Sequence, residues 1–368
     1  MPRINLLSLG LVLALVAGAP SSHALDEAHQ RARLLFEAKQ GEDMMQNAGL
    51  FYGDPALDAY LQSIIDRLYP DMAGRFHVHA IRDTEFNAFA VATGSVFVHI
   101  GLLLRIDDEA ELATVLGHEG GHVVGDHMYL QIRSAKARLA TGGFLAGSLG
   151  QLIAVSSLAG FSREHERDAD RMGFDRMVKA GYDPAAGKEI WARVAKELEE
   201  RKIKEPAFFF ADHPKVLERE TNMAKFAQEV PAGGERGRDH YLEVTGRARL
   251  DALEAVWKRN DGKLLVALLA TDNLMPTLPK YCRFYLGEGY RLRNTEGDLA
   301  KAIDEYQKTL FDAPEFAPTW NGLGRVHMRQ GEKGRALEDF RKYLQMAPNA
   351  PDAGYTRQYI EQLRKETP

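Results

Sequence analysis

The stretch DDEAELATVLGHEGGHVVGDH, from Asp107 to His127, contains the pattern His-Glu-x-x-His. Asp108, followed three residues later by Glu111, is typical of the pair of side chains that caps the start of a helix. Residues four apart lie on the same face of a helix, so His118 and His122 can point at one metal ion. We therefore predict a metal-binding helix here, with zinc as the ion best suited to imidazole ligands.

Glu119 directly follows the first histidine of the pattern. At this position its side chain can reach a water that the metal activates. Its carboxylate can take a proton as the water attacks a peptide carbonyl, and can return it to the leaving amine. A surface helix with two exposed histidines would show the same spacing. Gly120 and Gly121 argue against that alternative, because each Gly in a helix interior costs about 1 kcal/mol relative to Ala. We expect close backbone approach at this point.

The third zinc ligand has two candidates. His127 is the nearer one, but it comes two residues after Gly125, whereas metzincin zinc peptidases place a histidine three residues after such a Gly. In a continuing helix, His127 would face about half a turn away from His118. The stretch SREHERDADRMG offers Glu166 and Asp170, which are four residues apart; one could bind zinc while the other orients a ligand histidine. An exposed, charged helix explains this spacing equally well.

Three motifs in this order, HEGGH, SREHERDADRMG and DHPKVLER, resemble those of the HtpX-like and CAAX-prenyl-protease-like zinc peptidases. The stretch NAFAVATGSVFVHIGLL is similar to the strand pair that precedes the zinc helix in this family. The resemblance implies a mainly α fold with a small β-sheet, in which a gluzincin-type zinc-peptidase domain is followed by a tetratricopeptide helical-repeat domain.

The resemblance also implies a role for individual residues. It makes His118, His122 and Glu166 the ligands of one zinc ion per chain, with Glu119 as the general base. It places Asp170 behind the ligands, where it would orient one of them.

The resemblance places His213 over the site, either as a hydrogen-bond donor to the transition state or as a fourth ligand that keeps the enzyme latent. A helix-start histidine before Pro214 is the alternative. Arg219 matches the arginine of the third motif and could equally serve only to stabilise its helix. Gly120 departs from the family, which usually has a larger apolar residue there, and this departure puts the rigidity of the helix in doubt.

The N-terminus has the composition of a secretory signal. Arg3 precedes the apolar run Leu6–Ala17, and Ser22 and Ala24 supply small side chains before a cleavage site. The run is shorter than the ~20 apolar residues that a spanning helix needs. We predict a cleaved signal peptide over residues 1–24 and a periplasmic mature protein.

Composition restricts the partners and the redox chemistry. The net charge is −5 and no long run of Lys or Arg occurs, so no nucleic-acid partner is expected. The single cysteine, Cys282, cannot form an intramolecular disulfide. We interpret it as a small buried residue rather than a reactive thiol.

The C-terminal part repeats with the 34-residue period of tetratricopeptide helix pairs. The matching residues are Gly297 and Gly331, Ala302 and Ala336, Tyr306 and Phe340, and Pro314 and Pro348. Two repeats cannot bury a solenoid core alone, so flanking helices are expected. The predicted domains are a peptidase domain over 25–230, a linker with flanking helices over 231–280, and a repeat domain with a capping helix over 281–368.

The segment 139–162 contains no charged residue. A single membrane span would put His118 and Glu166 on opposite sides of the bilayer, and two spans need roughly 40 apolar residues. Because the segment has only 24 residues in all, we expect one or two Gly- and Ala-rich helical pieces near the cleft or touching a membrane surface.

These observations favour a zinc endopeptidase that cleaves protein substrates, with extended substrate pairing to an edge strand at Ser95–His99. The resemblance implies quality control of unfolded or misassembled envelope and outer-membrane proteins, with the repeats binding the outer-membrane assembly machinery. The alternative is a non-catalytic, repeat-based chaperone or scaffold whose zinc site is capped.

Overall fold

The computed structural model describes residues 22–133, 161–200, 216–271 and 274–365. Nearly all of the predicted signal peptide lies outside the described residues. So do His213 and the uncharged segment apart from Phe161 and Ser162. The predictions made for those regions stay predictions.

The described chain is mainly helical, with one small sheet, and this confirms the predicted fold class. The elements are α1 (Ser22–Asn47), α2 (Pro55–Leu68), β1 (His77–Ile81), β2 (Ala88–Ala90), β3 (Ser95–His99), α3 (Ile100–Arg105), α4 (Glu109–Val124), α5 (Arg163–Lys179), α6 (Ala185–Glu200), α7 (Val216–Gln228), α8 (Arg238–Lys258), α9 (Gly262–Leu269), α10 (Arg283–Arg293), α11 (Asp298–Asp312), α12 (Pro318–Arg329), α13 (Lys333–Met346) and α14 (Ala353–Lys365). Within the described ranges, no helix combines the length and the apolarity that a membrane crossing requires.

Helix α2 illustrates how local sequence starts an element. The Asp54 carboxylate accepts hydrogen bonds from the backbone N–H groups of Ala56 and Leu57, and Pro55 occupies the first helical position. The apolar face of α2 is buried and packs on the core beside the sheet. Its members are Leu57, Leu61, Ile64, Ile65 and Leu68.

The sheet has the strand order β1-β3-β2. Strand β3 pairs in parallel with β1, with His77 opposite Ser95, and antiparallel with β2, where Phe89 lies opposite Phe97. The prediction that Ser95–His99 is an edge strand was therefore wrong. All five of its residues are buried, because this strand is paired on both sides at the centre of the sheet and is covered on both faces. The edge strands are β1 and β2, the latter formed by Ala88–Ala90.

One continuous hydrophobic core joins the peptidase region to the first repeat helices. It extends from Tyr52 and the sheet through α8 and α9 to Val326 in α12. The Tyr241 hydroxyl of α8 donates a 2.5 Å hydrogen bond to the Leu103 carbonyl of α3. The flanking helices are thus integral to the core, and the exact domain boundaries stay predictions.

The two helix pairs α10–α11 and α12–α13 show why the repeat positions recur. Tyr306 and Phe340, the equivalent aromatic residues, pack against glycines of the neighbouring helices. A Cβ at Gly322 would lie 2.7 Å from the Tyr306 ring, and one at Gly324 would lie 2.5 Å from the Phe340 ring. A large aromatic residue on one helix therefore requires glycine on the helix against which it packs. In addition, α14 packs on α13 in a small cluster with Phe340, as expected of a capping helix.

The thiol of Cys282 is expected to be unreactive in the folded protein. Its residue is 0% exposed, and burial raises the pKa of the thiol to about 12, so the nucleophilic thiolate is nearly absent at neutral pH. A maleimide should label Cys282 only after denaturant is added, as read by intact-protein mass spectrometry. Rapid labelling of the native protein would contradict the buried assignment.

Candidate metal centre

Helix α4 carries the histidine pair, and its start is fixed by two side chains. The Asp108 carboxylate accepts from the backbone N–H of Glu111 at 3.0 Å. The Glu111 carboxylate accepts in turn from the N–H of Asp107 at 2.9 Å. The predicted capping pair is therefore formed, with the returning bond one residue earlier than in the usual box. The helix is buried from Glu109 to His122.

Helices α4 and α5 cross with their backbones almost in contact. A Cβ at Gly173 would lie 2.6 Å from the backbone of Gly117, and a Cβ at Gly121 would lie 3.0 Å from that of Ala169. Only very small residues permit this approach, which confirms the close packing expected at Gly121. The crossing brings the histidines of α4 against Glu166 of α5.

The neighbouring Gly120 faces a different partner. A Cβ at this position would lie 2.3 Å from the ring of Tyr69. The Tyr69 hydroxyl donates a 2.5 Å hydrogen bond to the carbonyl of Gly117. The Tyr69 ring thus occupies the space that a larger side chain at Gly120 would fill. It packs against α4 at the glycine-containing turn and supports the helix there.

Three buried side chains converge between α4 and α5. One ligand atom each of His118, His122 and Glu166 lies within 4.8 Å of the others. The two histidine Nε2 atoms are 3.0 Å apart. The Glu166 carboxylate oxygens lie 3.7 Å from Nε2 of His118 and 3.5 Å from Nε2 of His122. Two nitrogen ligands of a tetrahedral zinc are about 3.3 Å apart, so the spacing and the donor set fit such an ion.

Two further side chains stand behind His118. Asp170 Oδ1 lies 2.9 Å from the Nδ1 atom of His118, a position that favours the tautomer with its proton on Nδ1. Arg219 donates to the same oxygen at 3.0 Å, and its guanidinium lies 3.8 Å over the ring of Trp191. Because Arg219 is only 3% exposed, its interpretation as no more than a helix-stabilising charge was wrong. It holds Asp170 in place.

His127 stands behind the second histidine. Helix α4 ends at Val124, Asp126 has a φ of 54°, and helical backbone resumes over residues 127–133. His127 Nδ1 therefore comes within 3.0 Å of His122 Nδ1, on the side of the ring opposite to Nε2. His127 does face away from the convergent atoms as expected, but a helix break, and not a continuing helix, places it there.

The environment of His127 keeps its ring neutral. The ring stacks on His165 at 4.6 Å between centroids. Burial lowers the pKa of His127, and the nearby His165 lowers it further. A neutral His127 can accept a hydrogen bond from the Nδ1–H of His122.

Glu119 lies between the ligand group and the sheet. Its Oε2 atom accepts a 3.1 Å hydrogen bond from the backbone N–H of Ala90, on the edge strand β2. The side chain is 1% exposed. Its carboxylate is thus held beside the strand edge, where an extended peptide could add.

A small cavity of about 120 Å³ adjoins this region. Its walls include Leu34 of α1, Ala90 of β2 and Tyr129. Phe161 also lines it and stacks on the His122 ring at 4.0 Å between centroids. No spacing rule connects Phe161 or Leu34 to the histidines, and the sequence interpretation missed both.

Comparison with known proteins agrees with this geometry. Residues 55–226 match the family described as Peptidase family M48, and residues 317–350 match the tetratricopeptide repeat. A Vibrio cholerae protein is 32% identical over 208 residues, which cover 51% of this chain and 43% of that protein. The mitochondrial metalloendopeptidase OMA1 of Schizosaccharomyces pombe is 30% identical over 212 residues, covering 53% and 62%. The beta-barrel assembly-enhancing protease of Escherichia coli is 31% identical over 153 residues, covering 36% and 31%.

The matched region spans less than two thirds of the length of each of these relatives. Residues 55–226 of this chain include α4, α5 and the three convergent side chains. This chain therefore contains a peptidase family M48 domain, followed by a tetratricopeptide repeat.

Proposed function

We propose that the chain is a zinc-dependent endopeptidase with one zinc ion per chain, bound by His118, His122 and Glu166. The observation that carries the proposal is the convergence of these buried side chains next to Glu119, which touches the edge strand. Relatives that are named as a protease and a metalloendopeptidase support it.

Zinc, when bound, acts as a Lewis acid that activates water and polarises a peptide carbonyl. The protein's own residues position the reactants. Asp170, held by Arg219, fixes the ring of His118, while His127 and Phe161 hold the ring of His122 from two sides. Glu119 takes the proton of the attacking water and delivers it to the leaving amine.

The substrate is proposed to add to the sheet as a strand along β2, which replaces the earlier expectation for Ser95–His99. The β2 strand ends beside Glu119, so a paired peptide would place one of its peptide bonds next to that general base. The cavity next to His122 would receive one apolar side chain, because Leu34, Tyr129 and Phe161 line it.

The cellular role is proposed from the sequence and the relatives together. A signal peptide over 1–24 would place the mature chain in the periplasm. The name of the Escherichia coli relative supports protein substrates from outer-membrane assembly, with the repeats contacting that machinery. N-terminal sequencing of the periplasmic protein should begin at Leu25, and an intact N-terminus would contradict the cleavage.

A repeat-based chaperone or scaffold is the second candidate, in which His213 permanently closes the site as a fourth ligand. The position of Glu119 favours the enzyme, because a capped structural site needs no carboxylate at a strand edge. In the enzyme, His213 would act as a transition-state donor or a releasable latch.

The deciding experiment measures zinc content and casein cleavage for wild type, Glu166→Gln and His213→Ala. We expect about one zinc and cleavage for wild type, loss of both for Glu166→Gln, and retained zinc for His213→Ala. Faster cleavage by His213→Ala would identify a latch, and slower cleavage would identify a donor. A wild type and a His213→Ala variant that both bind zinc without cleaving any protein would overturn the peptidase and leave the scaffold.

The contact between His127 and His122 predicts a measurable effect on zinc affinity. His127→Phe keeps the ring but removes the acceptor for Nδ1–H of His122, so zinc affinity should fall by about 10- to 100-fold. Competition with a chelating dye measures this without catalysis. His165→Phe, which only changes the stacking partner, is the control and should stay near wild type, while His127→Asn should recover part of the loss. Unchanged affinity in His127→Phe would contradict the role.

A further inference from the structure

A groove of about 1340 Å³ lies between α6 of the peptidase region and the helices α9, α10 and α11. We call it the basic groove, because seven basic and only two acidic residues line it. The basic residues are Arg193, Lys196, Arg236, Arg238, Lys263, Arg293 and Lys301. The whole chain has a net charge of −5, so this concentration of positive charge is opposite in sign to the rest of the molecule.

Three of the arginines are already neutralised by neighbouring acids. Arg193 pairs with Glu111 at 2.7 Å, Arg236 with Asp108 at 2.6 Å, and Arg293 with Asp298 at 2.7 Å. These partly buried pairs build the walls of the groove. They leave the binding of an external anion to the remaining basic residues.

Arg238, Lys263 and Lys301 are exposed, and none of them forms an ion pair within the described part of the chain. The Lys301 ammonium lies 5.5 Å over the ring of Tyr290, which also lines the groove. These three side chains present positive charge that an acidic ligand could neutralise.

The position of the two lysines in their helices strengthens this point. Lys263 lies in the first turn of α9, and Lys301 lies in the first turn of α11. The dipole of a helix makes its N-terminus positive and favours acidic residues there. A lysine at this position costs stability and adds to the positive potential, which is the arrangement expected of an anion-binding surface.

The groove also has an apolar floor. Val266 and Ala267 of α9 contribute to it, together with Ala270, Pro276 and the ring of Tyr290. A free phosphate would leave this floor in water, whereas a peptide can cover it with apolar side chains while its carboxylates reach the rim.

We propose that the basic groove binds an extended acidic segment of a protein. The apolar side chains of the segment would cover the apolar floor around Val266, and its carboxylates would pair with Arg238, Lys263 and Lys301. This proposal rests on the proposed function, because the acidic segment would be the part of a peptidase substrate that is held away from the cleavage site. Binding itself does not require cleavage, so the two can be tested separately.

The test uses the full-length chain with Glu119→Gln, so that bound peptide is not consumed. The probe is a short fluorescein-labelled peptide of alternating Glu and Val, and fluorescence anisotropy gives its Kd. In this background, Lys263→Glu with Lys301→Glu should raise the Kd by about tenfold or more. The matched control, Lys225→Glu with Lys365→Glu, reverses two exposed lysines outside the groove and should change the Kd by less than about twofold.

Folding of the double variant is expected to be intact, because glutamate in the first turn of α9 and of α11 suits the helix dipole. Lys263→Gln with Lys301→Gln provides a second variant without added negative charge and should weaken binding in the same direction. A peptide with Gln in place of Glu should bind more weakly, and added salt should weaken the acidic peptide.

Several outcomes would overturn the inference. They are equal Kd values for the groove variant and the control variant, equal binding of the Gln peptide, or binding of phosphatidylglycerol vesicles through the same lysines without peptide binding. If the peptide binds as expected while wild type cleaves no casein, the groove stands and the peptidase proposal fails. If wild type cleaves casein but peptide binding does not depend on the groove lysines, the peptidase proposal stands and the groove inference fails.

Discussion

Glu119→Gln should lower kcat for peptide cleavage by roughly 10²- to 10⁴-fold, the range lost when a general base is removed. The amide cannot take a proton from the attacking water. It has nearly the same shape as the carboxylate, and its oxygen can still accept the hydrogen bond from the Ala90 N–H. Zinc content and Tm should therefore stay close to those of wild type. Steady-state kinetics on a quenched fluorogenic peptide, with metal analysis and a thermal melt, measures all three.

Glu109→Gln is the matched control for this variant. Glu109 lies on the same helix and is also buried, but it accepts hydrogen bonds from the hydroxyls of Tyr60 and Tyr182, away from the proposed metal ligands. Its replacement should lower Tm and leave kcat almost unchanged. If Glu119→Gln kept more than about a tenth of wild-type kcat, general-base catalysis by this residue would be refuted.

Gly173→Ala should lower both stability and zinc affinity. Ala in place of Gly within a helix normally stabilises by about 1 kcal/mol. Here the new Cβ would lie 2.6 Å from the backbone of Gly117 and from the N atom of His118. Helices α4 and α5 must separate to admit it, which should cost about 3 kcal/mol and move Glu166 away from the histidines. Thermal melts and chelator competition measure the two losses.

Gly246→Ala supplies the matched comparison, because Gly246 is also inside a helix, α8, and nothing lies within 4 Å of the added Cβ. This variant should be slightly more stable than wild type and should bind zinc with unchanged affinity. A Gly173→Ala variant as stable as Gly246→Ala would show that the close approach of α4 and α5 is not required for the fold.

Local sequence was sufficient for features that depend on short-range geometry. The spacing of His118 and His122 puts both rings on one face because a helix repeats every 3.6 residues. The start of α2 at Asp54 follows from a side chain that satisfies N–H groups two and three residues away. The 34-residue repeat likewise predicted the equivalent aromatic positions, Tyr306 and Phe340, that pack between the repeat helices.

Strand order, by contrast, was decided by tertiary structure. An apolar run such as Ser95–His99 is consistent with a central strand or with a strand at the edge, since both bury their side chains under helices. Only pairing with residues distant in sequence made this strand central and left β2 at the edge beside Glu119.

The sequence by itself therefore determined which residues can share a helix face, where helices begin, and that a repeat domain follows. Tertiary structure alone decided which faces meet. It brought Glu166 to the histidines through the glycine crossing of α4 and α5, set Arg219 behind Asp170, and turned His127 towards His122 after the helix break. The physical reason is that hydrogen bonds within a helix are local, whereas packing depends on the shape of surfaces that only the folded chain brings together.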